Sequence, residues 1–248
     1  MSWFEKLFGK QAAPKREKVE PILTVQLPEE TEPQELYGDQ VLRKQWAESV
    51  LEEQGVRINP HLPAIESEAE VEPRTAAEIS ERLIALAMVA AKGSGIEQKF
   101  LDEFLDQRNA ADFLSAAEAV FMADENPSDQ DRVQFSWRYE SAWVMFWALR
   151  HIETPLGFPG TCCDVDLLVS KIHDAEDLAA KGRHVTNNLL NEADLIYRYH
   201  WAVRQSSIDA AEPPAGLHPG VVMERHHALN WLIGYADRAD WDNISTDT

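Results

Sequence analysis

Four side chains set inside otherwise apolar patterns could do chemistry: Glu140, His200, Arg204 and Arg225. A carboxylate, an imidazole and two guanidiniums are the materials of acid–base work on an anionic substrate, with Glu140 or His200 as the acid or base and the arginines orienting the substrate. They are equally the materials of a salt-bridge network that locks helices in register, because an arginine fork can hold a carboxylate bidentately. Glu140 lies within Phe135–Leu149, a run apolar nearly all the way round at helical spacing, on the face of Val133, Trp137, Val144 and Trp147. A carboxylate there costs several kcal/mol unless a cation comes to meet it. His200 and Arg204 fall within the face of Leu189, Ala193, Ile196, Tyr197 and Val203, and Arg225 within that of Val221, Ala228, Leu229, Leu232 and Tyr235. Three apolar faces thus each present an ionic or titratable group. A satisfied buried network is the plainer reading; a ligand pocket for an anion is the alternative.

A second group is Glu224-Arg225-His226-His227-Ala228-Leu229-Asn230-Trp231. Glu224 and His227 have the i, i+3 spacing of metal-binding helical bundles, but a di-iron site needs two such pairs and two further glutamates. This chain has one Glu-x-x-His, so the metal reading reduces to His227, Glu224 and His200, and a flank of polar residues is the plainer account. No metal is assigned. Arg138, Asp194, Tyr197, Arg198 and Asn230 are secondary candidates; Asp194 and Arg198 read as an ordinary i, i+4 pair on a helix face, and Tyr197 as packing. Gly-rich phosphate loops, Gly-x-Ser-x-Gly and His-Glu-x-x-His are missing from the sequence, and no cofactor is indicated.

These side chains need helices to position them. Val41, Leu42, Trp46, Val50 and Leu51 form an amphipathic stripe ending near Gly55. Thr75-Ala76-Ala77-Glu78 is a capping box opening a helix that Gly93 stops, and Ser115-Ala116-Ala117-Glu118 is a second. Ile96, Phe100, Leu101, Phe104 and Leu105 mark another helix between them. Asn126-Pro127-Ser128 begins a single Trp-rich helix that ends before Pro155, and Asp164 caps one through Ile172. Thr186 opens a long helix to about Gln205, and a Pro/Gly loop leads into a last one from Val221 to Ala236. The expected fold is all-α, with at most one minor strand at Ile22–Leu27. Residues 39–248 read as one all-helical domain, and residues 1–38 as a tail and acidic Pro/Glu-rich linker.

The formal net charge is −20: +3 over residues 1–18, −10 over 19–72 and −13 over 73–248. Such a field repels nucleic-acid phosphates and anionic membranes, so no nucleic acid is expected. It suits solubility, or docking on a basic protein. Adjacent Cys162 and Cys163 cannot easily meet disulfide geometry, and with no secretory signal the chain reads as cytoplasmic. A cysteine nucleophile needs a positioned base, and none is identifiable nearby in sequence. No apolar run is long enough for a transmembrane segment. Trp3, Phe4, Leu7 and Phe8 share one helical face at the start, the pattern of a peripheral anchor, although two turns alone are marginal in water.

Together, several motifs resemble the bacterial family known as domain of unknown function 4272. They are Arg74-Thr75-Ala76-Ala77-Glu78-Ile79, Ser136-Trp137-Arg138-Tyr139-Glu140 with Trp147-Ala148-Leu149, Asp194-Leu195-Ile196-Tyr197-Arg198-Tyr199-His200-Trp201, Glu224-Arg225-His226-His227-Ala228-Leu229-Asn230-Trp231-Leu232, and Trp241-Asp242-Asn243-Ile244-Ser245-Thr246-Asp247-Thr248. The likeness runs from about residue 40 to the end. It implies a soluble bacterial protein and supplies no activity. Two expectations follow: a non-catalytic interaction or ligand-binding module with an acidic surface, or an enzyme built on the inward cluster, metal-assisted if Glu224 and His227 serve.

Overall fold

Local chemistry sets most helix starts. The Thr75 hydroxyl accepts from the Glu78 amide while the Glu78 carboxylate accepts from the Thr75 amide, opening Ala76–Gly93; Ser115 and Glu118 repeat the motif for Ala116–Ala123. Ser128 and Asp164 cap Asp129–Ser136 and Val165–Asp174 through their side chains. A computed structural model describes residues 36–248; the N-terminal anchor, most of the linker and the strand expected at 22–27 lie outside the described residues. The described residues form helices and contain no strand.

In chain order the helices are α1 Gly38–Glu53, α2 Ala76–Gly93, α3 Gln98–Arg108, α4 Ala116–Ala123, α5 Asp129–Ser136, α6 Arg138–Ala148, α7 Val165–Asp174, α8 Thr186–Ile208 and α9 Pro219–Ile233. The packing order is linear: α1 on α8, α8 on α9, α9 on α6, α6 on α2, and α2 on α5. Helices α2, α6 and α9 are buried over most of their length and form the centre, which is where Glu140 and Arg225 meet.

Three local expectations change. The Trp-rich run is two helices, α5 and α6, broken at Trp137. The break packs the Trp137 ring against Gly220 at the start of α9, where an added Cβ would meet ring carbons at 2.7 Å. Helix α5 buries none of its residues, so Val133 does not share the buried face of Glu140. Helix α2 does end at Gly93, and the close approach of α5 requires glycine there: a Cβ would lie 2.6 Å from the Ser136 amide nitrogen and 2.7 Å from the Arg132 carbonyl oxygen. The last helix stops at Ile233, earlier than Ala236, on the left-handed Gly234 (φ 79°). Ala236, Asp237 and Arg238 continue left-handed. Arg74 Nη2 holds that turn by donating to the carbonyls of Arg238 (2.8 Å) and Ala239 (2.7 Å).

Helix α1 turns Val41, Leu42 and Trp46 of its apolar stripe outward and keeps only Leu51 fully inside. It buries Gln40, Arg43, Ala47 and Leu51, and leaves Leu42 69 % and Trp46 40 % exposed. The irregular segment after Pro60 explains this, because its carbonyls need donors. Gln40 Nε2 donates to the Ile65 carbonyl at 2.6 Å, and Arg43 Nη1 to that of Glu66 at 2.8 Å.

Candidate functional site

Glu140 and Arg225 meet across the α6–α9 contact at 2 % and 4 % exposure. Arg225 Nε and Nη2 each donate to Glu140 Oε2 at 3.4 Å, while Nη1 donates to the carbonyls of Leu156 (3.1 Å) and Gly157 (3.2 Å). Glu140 Oε1 accepts from the Cys163 amide at 2.7 Å. The pair is therefore wired to the loop between α6 and α7 as well as to itself. Burial and then the Glu140 charge push the Cys163 thiol far up, so it holds its proton and is a poor nucleophile.

Beside this pair is a small cleft of about 10 Å³, with Glu192 and Tyr199 of α8 on one side and Arg225 and Leu229 of α9 on another. Burial raises the Glu192 carboxyl to about 7, against the lowering pull of Arg225 and a Leu156 backbone hydrogen bond.

The other candidates are spread along the helix contacts. His200 is buried and faces His226, with Nδ1 to Nδ1 at 2.7 Å and the rings edge to face. One ring must donate and the other accept, which requires both to be neutral or only one protonated. Burial pushes His200 down to about 4, helped by Arg204, and His226 well below its ordinary value. Glu224 is held by Arg138 Nη1 at 2.8 and 2.9 Å and by the Ser141 hydroxyl at 2.8 Å. His227 packs edge-on against Trp241, 4.4 Å between ring centroids. Asn230 Nδ2 donates to the Ser245 carbonyl at 2.9 Å, and half-buried Tyr197 lies 5.9 Å from the His226 ring.

A family model described as Domain of unknown function (DUF4272) matches residues 43–244. The chain belongs to this family. No curated protein and no solved structure matches it. The matched DUF4272 span contains Glu140, His200, Arg204, Arg225 and every secondary candidate.

Within that span the expected four-residue cluster is only half formed. Glu140 and Arg225 are joined; His200 is engaged with His226 instead. Arg204 does not belong, because it is exposed and donates to Thr248 Oγ1 at 3.2 Å. The reason is helical phase: each i, i+4 step overshoots a full turn by about 40°, so a stripe followed from Leu189 through His200 drifts off the buried face at Arg204 while Val203 stays on it. The metal reading of Glu224, His227 and His200 also loses its geometry, since Arg138 and Ser141 occupy the carboxylate. Among the described residues no three His, Cys, Asp or Glu side chains gather as metal ligands do.

The Asp194–Arg198 pair is i, i+4 as expected but lies in the interior, not on an open helix face. Both residues are 1 % exposed, Arg198 Nε and Nη2 reach Asp194 at 2.8 and 2.9 Å, and Glu48 of α1 adds a second carboxylate at 3.5 Å. Sequence reasoning passed over two further features. Arg82 of α2 forms a buried ion pair with Glu118, whose sequence signal read only as a capping box. Glu192 carries no sequence signal, because it follows Asn191 on what reads as the polar side of α8.

Proposed function

We propose that this chain is a non-catalytic interaction module that docks a positively charged, partly apolar protein partner on the outer face of α1. The exposure of Leu42 and Trp46 carries the reading. Tyr37, Val41, Leu42 and Trp46 are four of the ten large apolar side chains exposed among residues 37–248, and all belong to α1 or its N-cap. Exposed apolar groups gathered on one element mark interaction surfaces. Exposed Glu52 and Glu53 continue the same side of the helix, and the net charge of −20 favours a basic partner over nucleic acid.

The enzyme alternative asks Arg204 and Arg225 to orient an anion. Exposed Arg204 is engaged with Thr248, and the donors of Arg225 are directed at Glu140 and two carbonyls, which weighs against it. No helix among the described residues is long and apolar enough to cross a membrane. Cys162 and Cys163, neither in a disulfide, support a cytoplasmic setting. Residues 39–248 are taken as the functional domain, with residues 1–38 as its tail.

Affinity capture should retain a polypeptide on the wild-type protein at low salt and release it as salt rises. The variant Leu42→Asp/Trp46→Ser, which alters only exposed positions, should lose that polypeptide while keeping its melting temperature. Identical capture by both proteins would refute the docking face.

A further inference from the structure

Residues 239–248 form a strap laid on the helices, and Trp241, 4 % exposed, is its plug. The Arg82 and Arg138 guanidiniums stand 5.0 and 6.0 Å from the centroid of the Trp241 ring, and the His227 and Trp231 rings meet it edge to face at 4.4 and 5.8 Å. The Asp242 carboxylate accepts from the Ser115 hydroxyl at 2.7 Å and from the Ala117 amide at 3.0 Å, at the start of α4. The Ser245 carbonyl accepts from Asn230. Every one of these partners precedes the turn that delivers the strap.

That turn is strained. Ala236, Asp237 and Arg238 are three successive non-glycine residues in the left-handed region, with φ of 55°, 54° and 59°. The surroundings hold it there: Arg74 donates to the carbonyls of Arg238 and Ala239, and Arg238 donates to the Glu72 carbonyl and the Glu78 carboxylate. Beneath the plug, Arg82 Nε and Arg138 Nε have no hydrogen-bond partner among the described residues. Lifting the strap therefore relieves the turn and admits water to both arginines. It also gives up the Trp241 and Asp242 contacts, unless another copy of the same strap restores them.

We propose that residues 234–240 are a hinge through which two copies of this chain exchange straps, each seating Trp241 and Asp242 on the other. The seat is already shaped for one ligand, the strap itself, so the partner that fits it is a second copy. A straightened hinge needs no left-handed residue, and the seat contacts re-form unchanged. Seven extended residues span about 23 Å, enough to cross to a neighbour. A net charge of −20 makes two copies repel, so the exchanged dimer belongs to high protein concentration and high salt.

The test is light scattering on the full-length protein after incubation at high concentration in about 0.5 M sodium chloride. Two hinge variants change only exposed positions. Ala236→Gly/Asp237→Gly accepts the left-handed turn and should hold the monomer. Ala236→Val/Asp237→Val rejects it and should favour the dimer, with association constants at least about tenfold apart between the two variants and wild type between them. Trp241→Ala, alone or combined with the valines, should abolish the dimer. No dimer in any of these proteins, equal dimer in both hinge variants, or a dimer that survives Trp241→Ala would overturn the proposal. The hinge pair decides it even if Trp241→Ala folds poorly, and none of these outcomes bears on docking at α1.

Discussion

Replacing Arg198 by Met should lower the free energy of unfolding by about 3–5 kcal/mol, the cost of stranding a buried carboxylate without its cation. Arg198 is among the largest fully buried side chains of the protein, and Asp194 beside it is 1 % exposed. Water cannot take over the two hydrogen bonds that Arg198 makes to Asp194 at 2.8 and 2.9 Å without opening the α1–α8 contact. Urea unfolding followed by circular dichroism measures the loss. Adding Asp194→Asn should return a large part of it, because the uncompensated charge is then gone. A loss below about 1 kcal/mol, the range of exposed ion pairs, would mean that the pair is solvated in solution.

Acid should unfold the protein early, and the sign follows from three buried histidines. Burial pushes His200 and His227 down to about 4 and His226 well below its ordinary value; Arg204, Arg138 and His200 add to the effect in that order of residues. The folded protein keeps these rings neutral while the unfolded chain protonates them near 6.5. Their stability is therefore fully present above about 6.5 and declines as the pH falls toward the folded values. Each ring contributes about 1.4 kcal/mol per pH unit within that window. Glu192 opposes them: its folded value of about 7 lies above the ordinary 4.5, so folding gains at the same slope as the pH falls between those limits. Three groups against one leave a net loss of stability as the pH falls between roughly 6 and 4.5. Urea midpoints measured across that range should fall steadily, with uptake of about two protons on unfolding. A flat profile from pH about 7 to 5 would contradict neutral burial of these rings.

What could be read from the sequence was whatever is decided within one turn or by one isolated charge. Thr75, Ser115, Ser128 and Asp164 cap helices through groups three residues away, and each start falls where its motif predicts. Glu140 was legible because an apolar run leaves a lone carboxylate no choice but to find a cation on another helix, and Arg225 supplies it. The orientation of α1 was not legible. Its apolar stripe competes with Gln40 and Arg43, and their advantage comes from the carbonyls of Ile65 and Glu66, a partner segment that periodicity cannot see. The exposure of Arg204 follows from phase accumulated along α8. The burial of Arg82 and Glu118 and the half-burial of Glu192 depend on neighbours distant in sequence: Glu118 acts as a cap and as an ion-pair partner at once, and Leu156, Gly157 and Pro159 line a cleft with Glu192.

The buried ion pairs Glu140–Arg225, Arg138–Glu224 and Arg82–Glu118 each join two helices and are expected to be structural. Glu140 tests this most directly through a double-mutant cycle with Glu140→Gln, Arg225→Met and both together, read by urea unfolding. Either single change should destabilise by about 2 kcal/mol or more, and the combined loss should be clearly smaller than the two added, with a coupling between about 0.5 and 3 kcal/mol. Unchanged or increased stability in Glu140→Gln, with no coupling to Arg225→Met, would mean that the carboxylate is kept for a purpose other than folding.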